Sequence, residues 1–165
     1  MKFRGLKCNI LSTNWDYVIL QDQSQVPGFY RTNSDWINSK NGAASLAGAI
    51  DDESSEAVLM MTWGRRSGDT NNPTLYSNFT VMQERLEEGY IDYRDNMSNS
   101  SIDVWIAPVG LAFQHIHDAV NASGTDPTTS GNTFYDLYSS DGSHPSLSGS
   151  YLAACVLYAT MTGSS

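Results

Sequence analysis

Three short apolar runs along the chain have the length and composition of buried β-strands. Each is rich in Val, Ile, Leu and Met and is followed by polar residues or proline. The runs lie in WDYVILQDQS (15–24), AVLMMTW (57–63) and IDVWIAPV (102–109). Because they are apolar without alternation, they are typical of strands whose two faces are both covered. The pattern therefore predicts three buried strands.

Four longer segments between and after these runs have the spacing of helices. In the strongest of them, Phe79, Met82, Leu86, Tyr90 and Tyr93 recur three or four residues apart. The first helix is predicted to begin at a Ser/Asp cap, and the last at a serine, at position 146 or 148. The predicted helices span 34–50, 73–97, 110–120 and 146–161.

The order of these elements predicts the fold class. Strands that alternate with helices build a parallel sheet with helices on both faces, here a three-layer α/β/α architecture. Ligands of such open sheets bind beyond the carboxyl ends of the strands. The segments 21–24, 64–66 and 109–110 follow the three strands and are expected at that rim.

Composition and charge narrow the classes of partner. The chain has 165 residues, of which 40% are hydrophobic and 16% charged, as expected for one folded domain. Its formal net charge of −9 should repel nucleic acid and anionic membranes. No run approaches the roughly 18 apolar residues of a membrane span. We therefore expect neither nucleic acid nor a membrane as a partner.

The features that bear on localisation leave it open. The first residues, MKFRGLKCNIL, are too short and polar for a signal peptide. Four N-x-[ST] sequons, at positions 78, 96, 99 and 121, favour export, although an Asn- and Ser-rich chain also produces them by chance. Of the two cysteines, Cys155 lies in an apolar run and is predicted to be a buried free thiol.

Asp141 and His144 stand three residues apart in the loop before the last helix. In acyl transfer, an aspartate orients a histidine, and the histidine takes a proton from the nucleophile. The sequence DGSH can hold both side chains toward one cleft, and Pro145 restricts the backbone that follows. The alternative is a surface turn with no chemistry, which the spacing alone does not exclude.

The segment that contains this pair, SSDGSHPSLSGSYLAACVLYATMTG, resembles the closing block of the SGNH, or GDSL-type, hydrolases. In that family the Asp and His are two members of a catalytic triad. WDYVILQDQSQVP is similar to the third block, in which a strand ends in an oxyanion-donating Asn. Branches of the family have LQxQS there. The resemblance thus implies that Gln23 is the oxyanion donor and that the family activity is ester hydrolysis.

The resemblance extends from Trp15 onward but lacks the family's first block. That block is a strand that ends in Gly-Asp-Ser or Gly-Asn-Ser, and it carries the nucleophilic serine. FRGLKCNILSTN contains no such motif. We therefore divide the chain into an N-terminal remnant, 1–14, and an SGNH hydrolase-like domain, 15–165. The expectation is a sheet without its first one or two strands, and whether the chain is active without that block is left open.

Other residues of the rim are candidates for the missing chemistry. Ser24 follows the first strand and is the best-placed substitute nucleophile and a candidate substrate contact, with a turn residue as the alternative. Arg65 and Arg66 follow the second strand and are candidates for substrate contact or for pairing with acids such as Asp69. His115 and His117 point to different faces of a helix, so we expect no metal and no other cofactor.

These observations support three hypotheses of function. The first is a serine ester hydrolase domain that acts on a small ester or an acetylated carbohydrate. The second is a non-catalytic carbohydrate-binding domain on the same fold, and the third is a metal-dependent hydrolase. If the family's first strand is missing, the strand in 17–21 becomes an edge. Three outcomes then fit: the chain is a fragment of a longer product, it forms a homodimer through that edge, or residues 2–11 fold back as a substitute strand.

Overall fold

The computed structural model describes residues 15–98 and 102–163, so the predicted remnant 1–14 lies outside the described residues. Within that part, two 3-10 turns accompany three strands and four helices. The strands are β1 (Tyr17–Leu20), β2 (Glu56–Met60) and β3 (Val104–Ala107). The helices are α1 (Ser34–Asp52), α2 (Phe79–Met97), α3 (Val109–Ala122) and α4 (Leu147–Thr162). The 3-10 turns are Val26–Gly28 and Tyr135–Leu137.

The three strands form one parallel sheet in the order β1-β2-β3. Leu20 pairs with Leu59, and Met60 pairs with Ala107, so the carboxyl ends of the strands reach one common rim. The predicted α/β fold with a parallel sheet is confirmed. The residues that follow the strands meet at this rim, as expected for open sheets of this class.

Two hydrophobic cores cover the central strand on its two faces. Side chains of α1 and α2 pack with Ala57 and Leu59 in one core. Side chains of α3 and α4 form the other core, and Met60 packs against it. Since neighbouring residues of a strand point to opposite faces, helices cover both sides of the sheet. This double cover explains the unbroken apolar run of β2.

Helix α1 begins at residue 34 as predicted but has a different cap, and α2 begins later than predicted. Asn33 caps α1, because its side chain accepts from the N–H groups of Asp35 and Trp36. The predicted start of α2 at residue 73 is wrong, because the helix begins at Phe79 after its cap, Asn78. Residues 69–76 instead form turns that end with the buried Tyr76. The predicted cap of α4 is confirmed at Ser146, whose side chain accepts from Gly149 N–H.

The last helix is much less buried than its apolar sequence suggests. Gly149 and Ala153 are its buried residues. Leu147, Tyr151 and Tyr158 are exposed on it, and so is Cys155. The prediction of a buried thiol is therefore wrong, because α4 has apolar residues all round but is covered on one side by the described part of the chain. Within that part, no helix has both the length and the hydropathy of a membrane span.

The outer edge of β1 has no strand beside it among the described residues. Ile19 of this strand is 42% exposed. An apolar edge strand presents unpaired backbone donors and acceptors, which favour pairing with another strand. We propose that a second copy of the chain pairs there, which is one of the three outcomes that the sequence left open.

This proposal predicts concentration-dependent association. Sedimentation should show a dimer at high protein concentration, and alternate amides of 17–20 should exchange with deuterium more slowly in the dimer than in the monomer, because new hydrogen bonds protect them. A monomer at every concentration in which all four of these amides are strongly protected would contradict the proposal.

Candidate functional site

The loop that carries Asp141 and His144 has a defined backbone. Its start and end are joined by a 2.8 Å hydrogen bond from Ser139 N–H to the carbonyl of His144. At its tip Gly142 has a φ of +66°, which favours glycine because a Cβ is strained there. Ser146 ends the loop by capping α4, and it also donates its hydroxyl to the carbonyl of Asp136, at 2.5 Å. The loop is thus a turn fastened to a helix start.

Asp141 accepts three hydrogen bonds, two of which come from His144 and orient it. One carboxylate oxygen accepts from the backbone N–H groups of Ser143 and His144, at 2.8 and 2.9 Å. The other lies 2.6 Å from Nδ1 of His144. An ionised carboxylate can only accept, so Nδ1 carries a hydrogen and the neutral ring keeps its lone pair on Nε2. This is the tautomer that a general base requires.

The hydrogen bond from the His144 side chain is the main cause that lowers the pKa of Asp141 well below its usual range, and the two backbone N–H groups add to it. The side chains of Asp141 and His144 are 49% and 79% exposed. The carboxylate therefore remains charged, and the ring remains oriented, in mildly acidic solution.

This pKa shift predicts how acid affects the loop. A lowered folded-state pKa stabilises the fold fully above the unfolded value of about 3.9 and loses that effect as pH falls through the lower folded value. The difference in stability between the native protein and Asp141→Asn should therefore be constant from pH 7 to 5 and shrink below about pH 4. Urea unfolding at several pH values measures it. A difference that grows as the pH is lowered would contradict the assignment.

Two residues of the segment that follows β2 connect the loop to the sheet by hydrogen bonds. Trp63 donates its indole N–H to the carbonyl of Ser143 at 3.1 Å. The backbone N–H of Arg66 donates to the carbonyl of Gly142 at 2.9 Å. Arg66 itself is buried, and its guanidinium lies over the ring of Tyr135 at 3.7 Å. The histidine is thus held at the carboxyl rim of the sheet.

A cleft of about 470 Å³ opens between this loop and the ends of β1 and β2. We call it the rim cleft. Its lining residues are Gln21, Gln23, Ser24, Thr62, Trp63, Ser143, His144 and Pro145. The structure thus brings His144, Gln23 and Ser24 together, although they are far apart in sequence. Their catalytic roles stay predictions.

Of the three predicted substrate contacts, Ser24 lines the rim cleft, but the two arginines lie elsewhere. Arg66 supports the His144 loop from below, and Arg65 pairs with Asp69 at 2.5 Å between Nη1 and Oδ1. Neither lines the rim cleft. Arg65 therefore pairs with an acid, which the sequence left open as the alternative to substrate contact.

Sequence reasoning missed two residues that hold Gly64, which directly follows the cleft residue Trp63. Gln83 is fully buried and accepts from the N–H of Gly64 at 2.8 Å, while Tyr138 donates its hydroxyl to the carbonyl of the same glycine at 2.6 Å. Both backbone hydrogen-bonding groups of Gly64 are thus engaged by side chains. The signal for Gln83 was present, because an amide on the apolar face of α2 needs a buried partner.

The two histidines of α3 differ, because His117 packs against aromatic rings and His115 is exposed. The ring of His117 lies 4.7 Å from that of Phe79 and 4.9 Å from that of Phe134, and its Nδ1 is 2.8 Å from a carboxylate oxygen of Asp118. His115 is exposed. Among residues 15–98 and 102–163, no three metal-ligating side chains come close enough to share an ion.

Comparison with known proteins identifies the fold. No family model matches the chain, and no curated protein matches it. A solved structure from Slackia heliotrinireducens, provisionally described as an SGNH hydrolase, is similar with a TM-score of 0.70 and 24% sequence identity. The match covers 96% of this chain and 72% of that chain. At this identity the likeness establishes the fold alone, which is that of an SGNH hydrolase.

Proposed function

We propose that the rim cleft hydrolyses an ester, either a small ester or an acetylated carbohydrate, with His144 as the general base. The observation that carries this proposal is the 2.6 Å contact that Asp141 makes with Nδ1 of a histidine lining a cleft. The fold, which is shared with an SGNH hydrolase, supports it. The contact leaves Nε2 free to accept a proton.

The proposed reaction has two steps. Nε2 of His144 takes the proton of a serine hydroxyl as the serine oxygen attacks the ester carbonyl carbon. The carbonyl oxygen becomes negative, and the side-chain amide of Gln23 donates to it. The ester C–O bond then breaks, and His144 gives the proton to the departing alcohol. Water releases the acyl group from the serine by the same proton transfers in reverse.

Two serines of the rim cleft are candidates for the nucleophile. Gly-Asp-Ser and Gly-Asn-Ser do not occur in the 165 residues. Within the described part of the chain, Ser24 and Ser143 are the serines that line the rim cleft. A nucleophile must lie within hydrogen-bond reach of the base, so these two are the candidates there.

Labelling with an alkyl fluorophosphonate, followed by mass spectrometry, tests the proposal. We expect one adduct, on a serine of the cleft, that does not form in His144→Ala because an unactivated hydroxyl reacts slowly. Substitution of the labelled serine by alanine should abolish both labelling and turnover. An adduct that forms equally well in His144→Ala would contradict the role of the histidine.

A second candidate is a non-catalytic carbohydrate-binding domain, which is favoured by the aromatic side chain of Trp63 in the cleft. Its binding site would be the same cleft, with Trp63 as a sugar-stacking face. Saturable binding of a partly acetylated oligosaccharide by calorimetry, with no labelling and no hydrolysis, would select this candidate. Hydrolysis that His144→Ala abolishes would eliminate it.

A further inference from the structure

A buried carboxylate outside the rim cleft has no role in the proposed reaction. Asp69 lies in the turns that precede α2, and its side chain is fully buried. Its oxygen Oδ1 accepts from Arg65 at 2.5 Å and from Asn71 N–H at 3.0 Å. Oδ2 accepts from the amide of Asn72 at 2.8 Å and from the amide of Gln25. A buried charge is tolerated because each oxygen has two donors.

Burial raises the pKa of Asp69, but the hydrogen bonds from Asn72, Asn71 and Gln25, together with the charge of Arg65, outweigh burial and lower it. The carboxylate is thus ionised near neutral pH. An ionised carboxylate accepts hydrogen bonds and donates none, so it determines which end of a neighbouring amide faces it.

Gln25 links Asp69 to Gln23, a residue of the rim cleft. Its Nε2 donates to Asp69, so its Oε1 must face away, and Oε1 lies 3.2 Å from Nε2 of Gln23. The backbone of Gln25 is also fixed, because its carbonyl accepts from the hydroxyl of the buried Tyr76 at 2.6 Å. The carboxylate therefore sets the orientation of the first amide.

The second amide, that of Gln23, is held at both ends. Its Oε1 accepts from the backbone N–H of Gln25 at 2.8 Å, and its Nε2 donates to Oε1 of Gln25. An amide nitrogen has two hydrogens, and the described part of the chain engages one of them. The other remains for a ligand of the rim cleft, which Gln23 lines.

We infer that Asp69 is a positioning residue that fixes, through Gln25, the amide of Gln23 with its nitrogen available to the rim cleft. The inference rests on the proposed function, in which this nitrogen stabilises the negative oxygen of the transition state. A preorganised donor is effective because it need not reorient during the reaction. A freely rotating amide would present its oxygen to the cleft part of the time.

The test follows the side-chain amide of Gln23 by NMR in the full chain. In the native protein, its hydrogens should show cross-relaxation with the side chain of Gln25. In Asp69→Asn this contact should weaken, and exchange of the amide hydrogens with water should rise by up to about tenfold, the factor of one hydrogen bond. Asp95→Asn is the matched control, because it breaks an exposed aspartate–arginine pair.

Gln25→Met is the second variant, in case Asp69→Asn fails to fold. Methionine has a side chain of similar length to glutamine but no amide, and Asp69 keeps its other three hydrogen-bond donors. The same weakening at Gln23 is expected. If the signals of Gln23 in either folded variant match those of the native protein and of Asp95→Asn, the inference is overturned.

Kinetics separate this inference from the proposed function. With p-nitrophenyl acetate, Asp69→Asn should lower kcat about tenfold with KM unchanged, and it should have no further effect in a Gln23→Met background. If the losses of kcat from Asp69→Asn and Gln23→Met are additive, the role of Asp69 is merely structural and the inference is overturned. Absence of ester turnover in the native protein would count against the proposed function, and the NMR result would still decide the positioning.

Discussion

Asp141→Asn is expected to lower the rate of ester hydrolysis about a thousandfold or more. The asparagine can present an N–H group toward Nδ1 of His144, and the ring must then accept there and carry its hydrogen on Nε2. A protonated Nε2 cannot take a proton from the nucleophile. Initial rates with p-nitrophenyl acetate measure the effect, which should appear in kcat because the substrate does not touch Asp141.

The loop itself should survive this substitution, because the side-chain oxygen of asparagine can still accept from the two backbone N–H groups. Asp118→Asn is the matched control, since Asp118 also contacts a histidine, at 2.8 Å on α3 outside the rim cleft. Its rate should equal that of the native protein. An Asp141→Asn enzyme that keeps a tenth of the native rate, or a control that falls equally, would refute the assignment.

Gly89→Ala is expected to destabilise the fold by about 3 kcal/mol. A Cβ at this buried position of α2 would lie 1.8 Å from the carbonyl oxygen of Pro27. The backbone of Pro27, in the turn that follows Gln23 and Ser24, would have to move. Urea unfolding measures the loss, and hydrolysis should fall too because the displaced turn carries one wall of the rim cleft.

Gly48→Ala is the matched control, because Gly48 also lies within a helix but a Cβ there would meet no atom within 4 Å beyond the backbone of its own helix. It should stabilise the fold by roughly 1 kcal/mol, the difference in helix propensity between alanine and glycine. Opposite signs for the two substitutions are the expected result. Equal effects would show that the close approach of α2 to Pro27 does not limit stability.

The sequence predicted best what neighbouring residues determine. The three strands, the class of the fold and the cap of α4 at Ser146 follow from local patterns, and the structure confirms them. The contact between Asp141 and His144 is local too, because three residues in a turn set it. Such features need no knowledge of the rest of the chain.

Interactions between distant segments could not be predicted from the sequence. Trp63 and Ser143 are 80 positions apart, and no residue pattern in either segment indicates that they form a hydrogen bond. The same holds for the burial of Arg66 beneath the loop, which differs from the substrate contact that its place after a strand suggested. The exposure of Cys155 likewise depends on which elements cover α4, and no local pattern encodes that.

The central claim is that His144, oriented by Asp141, acts as a base in ester hydrolysis. The most direct measurement is the rate of p-nitrophenyl acetate hydrolysis by the native protein, His144→Ala and His115→Ala, the last of which removes an exposed histidine of α3. We predict turnover in the native protein and in His115→Ala, and a loss of about a thousandfold in His144→Ala. Equal rates in all three proteins, or no turnover above that of buffer in any of them, would contradict the account.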